Sequence, residues 1–323
     1  MTKRPYSFLW MKISSRCEER STMALPQREE GVQKEDKVAL PEKDNVLSLF
    51  KSAHHVLKER EKFFRIDTGS KALNRILGGG IEQGAVTEFF GEYRTGKTQI
   101  CLQLLVMATL PKELGGNGGK AVYIDTEGSF RPERILQICR RFDVDPQEIL
   151  NRIFVGKAPS TEKQMELVEE VMKVSDSEII LIIVDSLTAN FRAEFMGKDL
   201  LFERQQLLNR HINQLNQLAA FAEKQPRAVV VTNQVMADLS NLFGEARQVA
   251  VGGNIVAHGT THRIVLQREG SCTVARLVDS PYLPEAEGRF SITFNGIEDC
   301  NDRTPDSFDD LVHKMKEEIQ YEE

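Results

Sequence analysis

Residues 85–98 read AVTEFFGEYRTGKT: a β-prone apolar run, then Gly91-Glu92-Tyr93-Arg94-Thr95-Gly96-Lys97-Thr98, with a helix-forming stretch opening near Thr98. These eight residues satisfy G-x-x-x-x-G-K-[ST] between a strand and a helix, the setting a phosphate-binding loop requires. Glycine lets the chain wrap so closely that successive backbone N–H groups point at phosphate oxygens, and the following helix adds its positive end. Lys97 is suited to neutralise terminal phosphates. The Thr98 hydroxyl suits Mg²⁺, a hard cation that takes oxygen ligands and keeps several waters. Residues 91–99, Gln99 included, are therefore the candidate cradle for a nucleoside triphosphate.

Such a site needs an acidic group at the end of a buried strand to hold the metal through its water shell. Ile180-Leu181-Ile182-Ile183-Val184-Asp185 supplies one, apolar without alternation as a strand covered on both faces should be; an Asp that merely caps the next helix is the plainer alternative. Hydrolysis also needs a group that orients or deprotonates water. Asp125 and Glu127 of Tyr123-Ile124-Asp125-Thr126-Glu127 are both candidates, and the residues do not choose between them. A structural carboxylate is the third possibility.

Outward from this loop, short apolar or β-branched runs at 85–90, 121–125, 179–185, 228–232 and 261–266 alternate mostly with helix-length segments. That pattern predicts a wound α/β domain with a largely parallel sheet. Runs at 273–278 and 289–294 lack long helices between them, so the far edge of the sheet is expected to be antiparallel. The chain has 323 residues, 41% hydrophobic and 28% charged, with no run near the roughly 18 apolar residues of a membrane span. With 42 basic against 48 acidic residues, any nucleic-acid contact has to come from a local patch. Cysteines 17, 101, 139, 272 and 300 form no metal-ligand spacing and read as reduced structural thiols, and the first twelve residues do not make a signal peptide. An intracellular protein, cytoplasmic or nucleoid-associated, is expected.

Four segments are expected: a tail or linker over 1–44, an amphipathic helix over 45–62, a core over 63–299, and an acidic tail over 300–323 that suits one exposed helix. In the helix, Phe50 and Ala53 share one face, as a large anchor and a small close-packing residue would for one apolar pocket. An intramolecular amphipathic helix is the alternative.

GEYRTGKTQ, YIDTEGSFRPERI, LIIVDSLTANFRAEF, ERQQ, VVVTNQV, GGNIVAHGTTHRI and ARLVDSPYLPEAEGRFSIT, in this order, resemble the RecA/RadA recombinase family in its archaeal and eukaryotic branch. The resemblance runs from about Asn45 to Asp299. It implies a RecA-like ATPase core that polymerises on single-stranded DNA and exchanges strands with duplex DNA, with ATP and Mg²⁺ sandwiched between subunits. K⁺ beside the γ-phosphate is left open. On this resemblance Glu127 matches the catalytic glutamate, Arg134 an arginine that stacks on adenine, and Gln234 a γ-phosphate sensor that relays to DNA. Asp279 and Pro281 match a cap over the neighbouring subunit's ATP, His258 a phosphate sensor in that interface, and Phe50-x-x-Ala53 a polymerisation motif.

The family's two DNA loops fall at about 192–204 and 235–252, which makes Arg192, Lys198, Arg204, Phe243 and Arg247 the candidate DNA contacts. Here Lys198 and Asp199 replace an arginine and a glycine, and Arg247 is offset by Asp238 and Glu245. Since phosphate neutralisation supplies most nonspecific affinity, weaker or more salt-sensitive DNA binding is expected. Residues 1–44 show neither the length nor the pattern of the branch's N-terminal helix-hairpin-helix domain. The reading is a DNA-dependent ATPase and recombinase in DNA repair, a homo-oligomer in filament or ring form that needs no membrane. An accessory paralogue that assists another recombinase is the alternative; a ring-forming RecA-fold ATPase of another class fits the F-x-x-A and VDSP segments poorly.

Overall fold

The computed structural model describes residues 50–174, 176–220, 226–238 and 247–300. The tail expected over 1–44, the beginning of the linker helix (45–49) and the tail after Cys300 lie outside the described residues. Packing divides the chain into residues 1–55 and 56–323. The first contributes only 50–55, where Phe50 and Ala53 are exposed.

Helix α1 (Ala53–Arg60) leads to the two-residue strands β1 (Arg65–Ile66) and β2 (Ile81–Glu82), with α2 (Lys71–Ile76) between them. Then come β3 (Val86–Gly91), α3 (Lys97–Thr109), β4 (Lys120–Asp125), α4 (Pro132–Arg140), α5 (Pro146–Leu150) and β5 (Ile153–Lys157). They are followed by α6 (Thr161–Lys173), β6 (Ile179–Asp185), α7 (Ala189–Glu194), α8 (Leu201–Ala220) and β7 (Ala228–Asn233). The ribbon β8 (Val235–Asp238) and β9 (Arg247–Ala250) precedes α9 (Gly253–Gly259). Strands β10 (His262–Glu269), β11 (Cys272–Asp279), β12 (Ala286–Thr293) and β13 (Gly296–Asp299) close the core.

Nine strands form one sheet in the order β13-β12-β11-β10-β3-β7-β6-β4-β5. From β10 to β5 every pairing is parallel, and from β10 to β13 every pairing is antiparallel, the expected change of sense at the far edge. This is the RecA-like α/β core. Strand β6 explains its unbroken apolar run: Leu181 and Ile183 pack into the cluster that holds α3 and α4, while Ile182 and Val184 pack into the one that holds α6 and α8. Each such side chain, removed fully from water, contributes about 1.5–3 kcal/mol.

The reduced-thiol reading is corrected for one pair. Cys272 and Cys300 form a disulfide with their Cα atoms 6.0 Å apart, whereas Cys101 and Cys139 are free and buried. Both paired residues adjoin β12: Cys272 is the register partner of Ser291, and the Cys300 N–H donates to the Arg289 carbonyl. The sheet edge brings together residues that no local motif links. Among the described residues no helix is long and apolar enough to cross a membrane.

Candidate active site

The carboxyl ends of four adjacent strands, β3, β7, β6 and β4, meet at one edge of the sheet, where a wound α/β fold binds ligands. A recess of about 900 Å³ opens there, lined by the loop after β3, by Thr98 and Gln99 of α3, and by Glu127, Asp185, Thr232 and Gln234. The loop's shape depends on its glycines. A Cβ at Gly91 would stand 2.3 Å from the Leu266 carbonyl oxygen, and one at Gly96, which holds φ +99°, would stand 2.8 Å from the Ile292 side chain. Lys97 Nζ arches back to the Gly91 and Glu92 carbonyls at 2.8 and 2.7 Å. Burial pulls its pKa below the ordinary lysine value, against Asp185 and Glu127, which act the other way.

Asp185 ends β6 almost fully buried, receiving hydrogen bonds from Tyr123 Oη at 2.7 Å and from the Thr232 hydroxyl. Burial raises its pKa; bonds from Thr232, Tyr123 and Thr98 oppose that rise. Thr98 and Asp185 thus place two oxygen donors side by side in the recess, a set that fits Mg²⁺ and not a soft metal.

Of the two carboxylates at the end of β4, only Glu127 lines the recess. Asp125 accepts the backbone N–H groups of Ser129 at 3.0 Å and Phe130 at 3.2 Å and caps that turn. Glu127, exposed beyond the strand end, accepts at Oε1 from Ser186 Oγ at 2.7 Å and from Gln234 Nε2 at 3.2 Å. Gln234 Oε1 in turn accepts from Arg192 at 2.7 Å. One amide thereby spans a recess carboxylate and an arginine of the first candidate DNA loop. Ser129, Ser186 and Thr232 also line the recess and Tyr123 backs it, and sequence reasoning passed over all four. Their one signal was position, at or next to strand ends already marked.

Arg134 does not line this recess. Its guanidinium donates to Gln99, Gln137 and the Thr293 and Phe294 carbonyls. His258, Asp279 and Pro281 come together elsewhere, in a recess of about 370 Å³ that shares no residue with the first. Strand register separates the two. His262, opening β10, is level with Thr87 of β3, whereas Gly91 of the phosphate loop is level with Leu266. Asp279 is the partner of Arg263. The second recess thus belongs to the amino end of β3 and the phosphate loop to its carboxyl end, about 13 Å apart at the usual rise.

A family model described as Rad51 matches residues 59–300. The chain belongs to the Rad51 family. It is also 46% identical over 256 residues to the DNA repair and recombination protein RadA of Metallosphaera sedula, covering 78% of each chain. The family is one of ATP- and DNA-binding proteins of recombination and repair. Among the DNA-loop positions taken from it, Arg192 lies half-buried on α7, Lys198 is exposed, and Arg204 is half-buried in the first turn of α8. In the second loop the β8–β9 register pairs Asp238 with Arg247, and Phe243 lies outside the described residues.

Proposed function

We propose that this chain is an ATP-dependent recombinase that assembles on single-stranded DNA and promotes strand exchange. One observation carries the reading: each chain holds two half-sites at opposite ends of β3, the phosphate loop at one and His258, Asp279 and Pro281 at the other. A second copy completes the pocket. The surface that receives Phe50 of that copy is an apolar recess of about 400 Å³ on the edge strand β5, between Phe154, Val155, Val171 and Val174. Phe154 is 50% exposed there, and β5 has a neighbour on one side only.

In this reading the loop amides and Lys97 bind the triphosphate, and Thr98 and Asp185 hold Mg²⁺. The bound metal neutralises charge on the phosphate oxygens. Ser186 and Gln234 fix one oxygen of Glu127 and leave Oε2 to take the proton of the attacking water. A DNA phosphate that draws Arg192 off Gln234 Oε1 lets the amide turn, so that Nε2 keeps one N–H on Glu127 and points the other at the γ-phosphate, and turnover rises on DNA. An accessory paralogue is the second reading, favoured by the acidic Asp238 and Glu245 that share the second DNA loop with Arg247.

The test is specific ATPase rate against protein concentration on single-stranded DNA, with strand exchange measured alongside. The rate is expected to climb with concentration, and Lys97→Ala to lose both turnover and nucleotide-dependent DNA binding. A dilute monomer as active as concentrated protein refutes the reading. Concentration-dependent turnover without strand exchange, but with stimulation of another recombinase, selects the paralogue.

A further inference from the structure

Asp279 ends β11, and the residues that follow it, Ser280-Pro281-Tyr282-Leu283, have no regular structure of their own. They are held instead by a carboxylate from far away in the chain. Glu82, the last residue of β2, has a side chain only 5% exposed. Its Oε2 receives the Tyr282 hydroxyl, His262 Nε2 at 3.1 Å and Arg65 at 3.4 Å, and its Oε1 receives Arg60.

His262 extends the hold by one step. While Nε2 meets Glu82, the other ring nitrogen, Nδ1, meets Ser280 Oγ at 3.1 Å. That hydroxyl accepts in turn from the backbone N–H groups of Tyr282 at 3.4 Å and Leu283 at 3.1 Å. The residues on either side of Pro281 are thus fixed to one carboxylate, directly at Tyr282 and through His262 at Ser280. Arg60, the last residue of α1, is tied to the same group.

Burial alone would push the Glu82 pKa up, but hydrogen bonds from His262 and Tyr282 and the charges of Arg65 and Arg60 outweigh it, leaving the value at about 2. The hub therefore stays ionised under any assay condition near neutral pH. A buried ionic hub is weak evidence of stability, since apolar packing often serves as well. What it supplies is fixed geometry at the segment it holds.

We infer that Glu82 is a positioning residue for the ATP cap: it sets Asp279 and Pro281 for the nucleotide of the adjoining subunit and joins that cap to the root of the linker helix. This rests on the two-half-site reading above. The test is Glu82→Gln, a near-isostere that removes the charge.

In dilute solution Glu82→Gln is expected to bind a fluorescent ATP analogue as wild type does, because its own phosphate loop is untouched. Its DNA-stimulated ATPase in assemblies is expected to fall roughly 10- to 100-fold, the size of loss that a misplacement of about 1 Å produces. Added Lys97→Ala chain, inactive itself but carrying an intact cap, is expected to restore turnover several-fold, which a merely structural defect in Glu82→Gln would not allow. Should Glu82→Gln fail to fold, Tyr282→Phe carries the same test with a smaller loss, since it removes one hydroxyl and leaves the carboxylate its cations. Concentration-dependent wild-type turnover with a variant that is unimpaired, or impaired and not rescued by Lys97→Ala, overturns this inference alone. Concentration-independent wild-type turnover overturns the two-half-site reading and this inference with it.

Discussion

Glu88 sits in the middle of β3 with its side chain 0% exposed, three residues ahead of the phosphate loop, and Arg263 is its direct partner across the parallel pair β3–β10. Arg263 Nε reaches Glu88 Oε2 at 2.7 Å, and Asn233 Nδ2 reaches Oε1 at 2.8 Å. Arg263→Leu removes the cation that pairs with this buried carboxylate and leaves it with the Asn233 amide. Breaking a buried pair from one side costs about 3–5 kcal/mol, which at roughly 2–4 °C per kcal/mol for a domain of this size is a fall of about 6–20 °C in Tm. The double variant Glu88→Leu/Arg263→Leu removes the orphaned charge as well, and Asn233 keeps its bond to the Val251 carbonyl at 2.7 Å. It is expected to regain about 1.5–3 kcal/mol over the sum of the two single losses. Urea unfolding of the four proteins, followed by circular dichroism, gives the cycle. A loss under about 1 kcal/mol for Arg263→Leu, or strict additivity in the double, refutes the reasoning, because either means that Arg263 and Glu88 do not depend on one another in the sheet. Turnover reports on the same pair. Asn233 Oδ1 accepts the Gln234 N–H at 2.9 Å, so loosening Asn233 is expected to lower the DNA-stimulated rate before the protein unfolds.

Phe50→Ala removes an anchor of the kind worth about 2–4 kcal/mol at an interface, so the association constant is expected to fall roughly 30- to 1000-fold; sedimentation at graded concentrations reads this, and unchanged assembly removes Phe50 from the interface. His211, fully buried on α8, has its pKa lowered from 6.5 to about 4 by burial, against a bond to Gln214. Above about pH 6.5 it is neutral whether folded or not, and between there and pH 4 the unfolded chain takes a proton that the folded chain refuses, so stability falls by about 3 kcal/mol. Urea midpoints at pH 7.5 and 4.5 should show that limb in wild type and a shallower one in His211→Asn. Peptide mapping under non-reducing conditions should recover a Cys272–Cys300 cross-linked peptide that reductant abolishes, with about 2–4 kcal/mol of stability lost on reduction; two free thiols at these positions in native protein would contradict the pairing.

The core of this fold is legible because its signals are local. A phosphate loop is written in consecutive residues, and β6 announces burial on both faces because Leu181 and Ile183 meet one helix layer while Ile182 and Val184 meet the other. Strand β5 escapes such reading: of Ile153–Lys157 only Ile153 is buried, so the segment has neither the alternation of a half-covered strand nor the run of a covered one. The pairs β1–β2 and β8–β9 escape for another reason, since two- and four-residue strands are fixed by their partners and not by their own composition. The choice between Asp125 and Glu127 was likewise closed to the sequence. It turns on where β4 stops and on which carboxylate the amides of Ser129 and Phe130 consume.

The half-sites also constrain what kind of assembly can close them. A two-fold dimer brings identical surfaces together, phosphate loop to phosphate loop, and leaves each nucleotide without the His258, Asp279 and Pro281 face. Completing the pocket requires unlike surfaces, the carboxyl end of β3 in one copy against the amino-end recess of the next. The apolar edge at β5 and the Phe50 anchor are likewise unlike surfaces. A head-to-tail contact of this sort leaves one half-site of each kind open at the ends of any chain of copies, so growth continues until the rotation per copy closes a ring or winds into a helix. In the proposed assembly, DNA lying along the stack would meet the Arg192 loop once per copy, and Arg192 is bonded to the Gln234 that also holds Glu127. On the proposed function, polymer, polynucleotide and triphosphate would be coupled through single side chains, and a substitution at Gln234 should uncouple DNA from turnover while leaving both assembly and ATP binding in place.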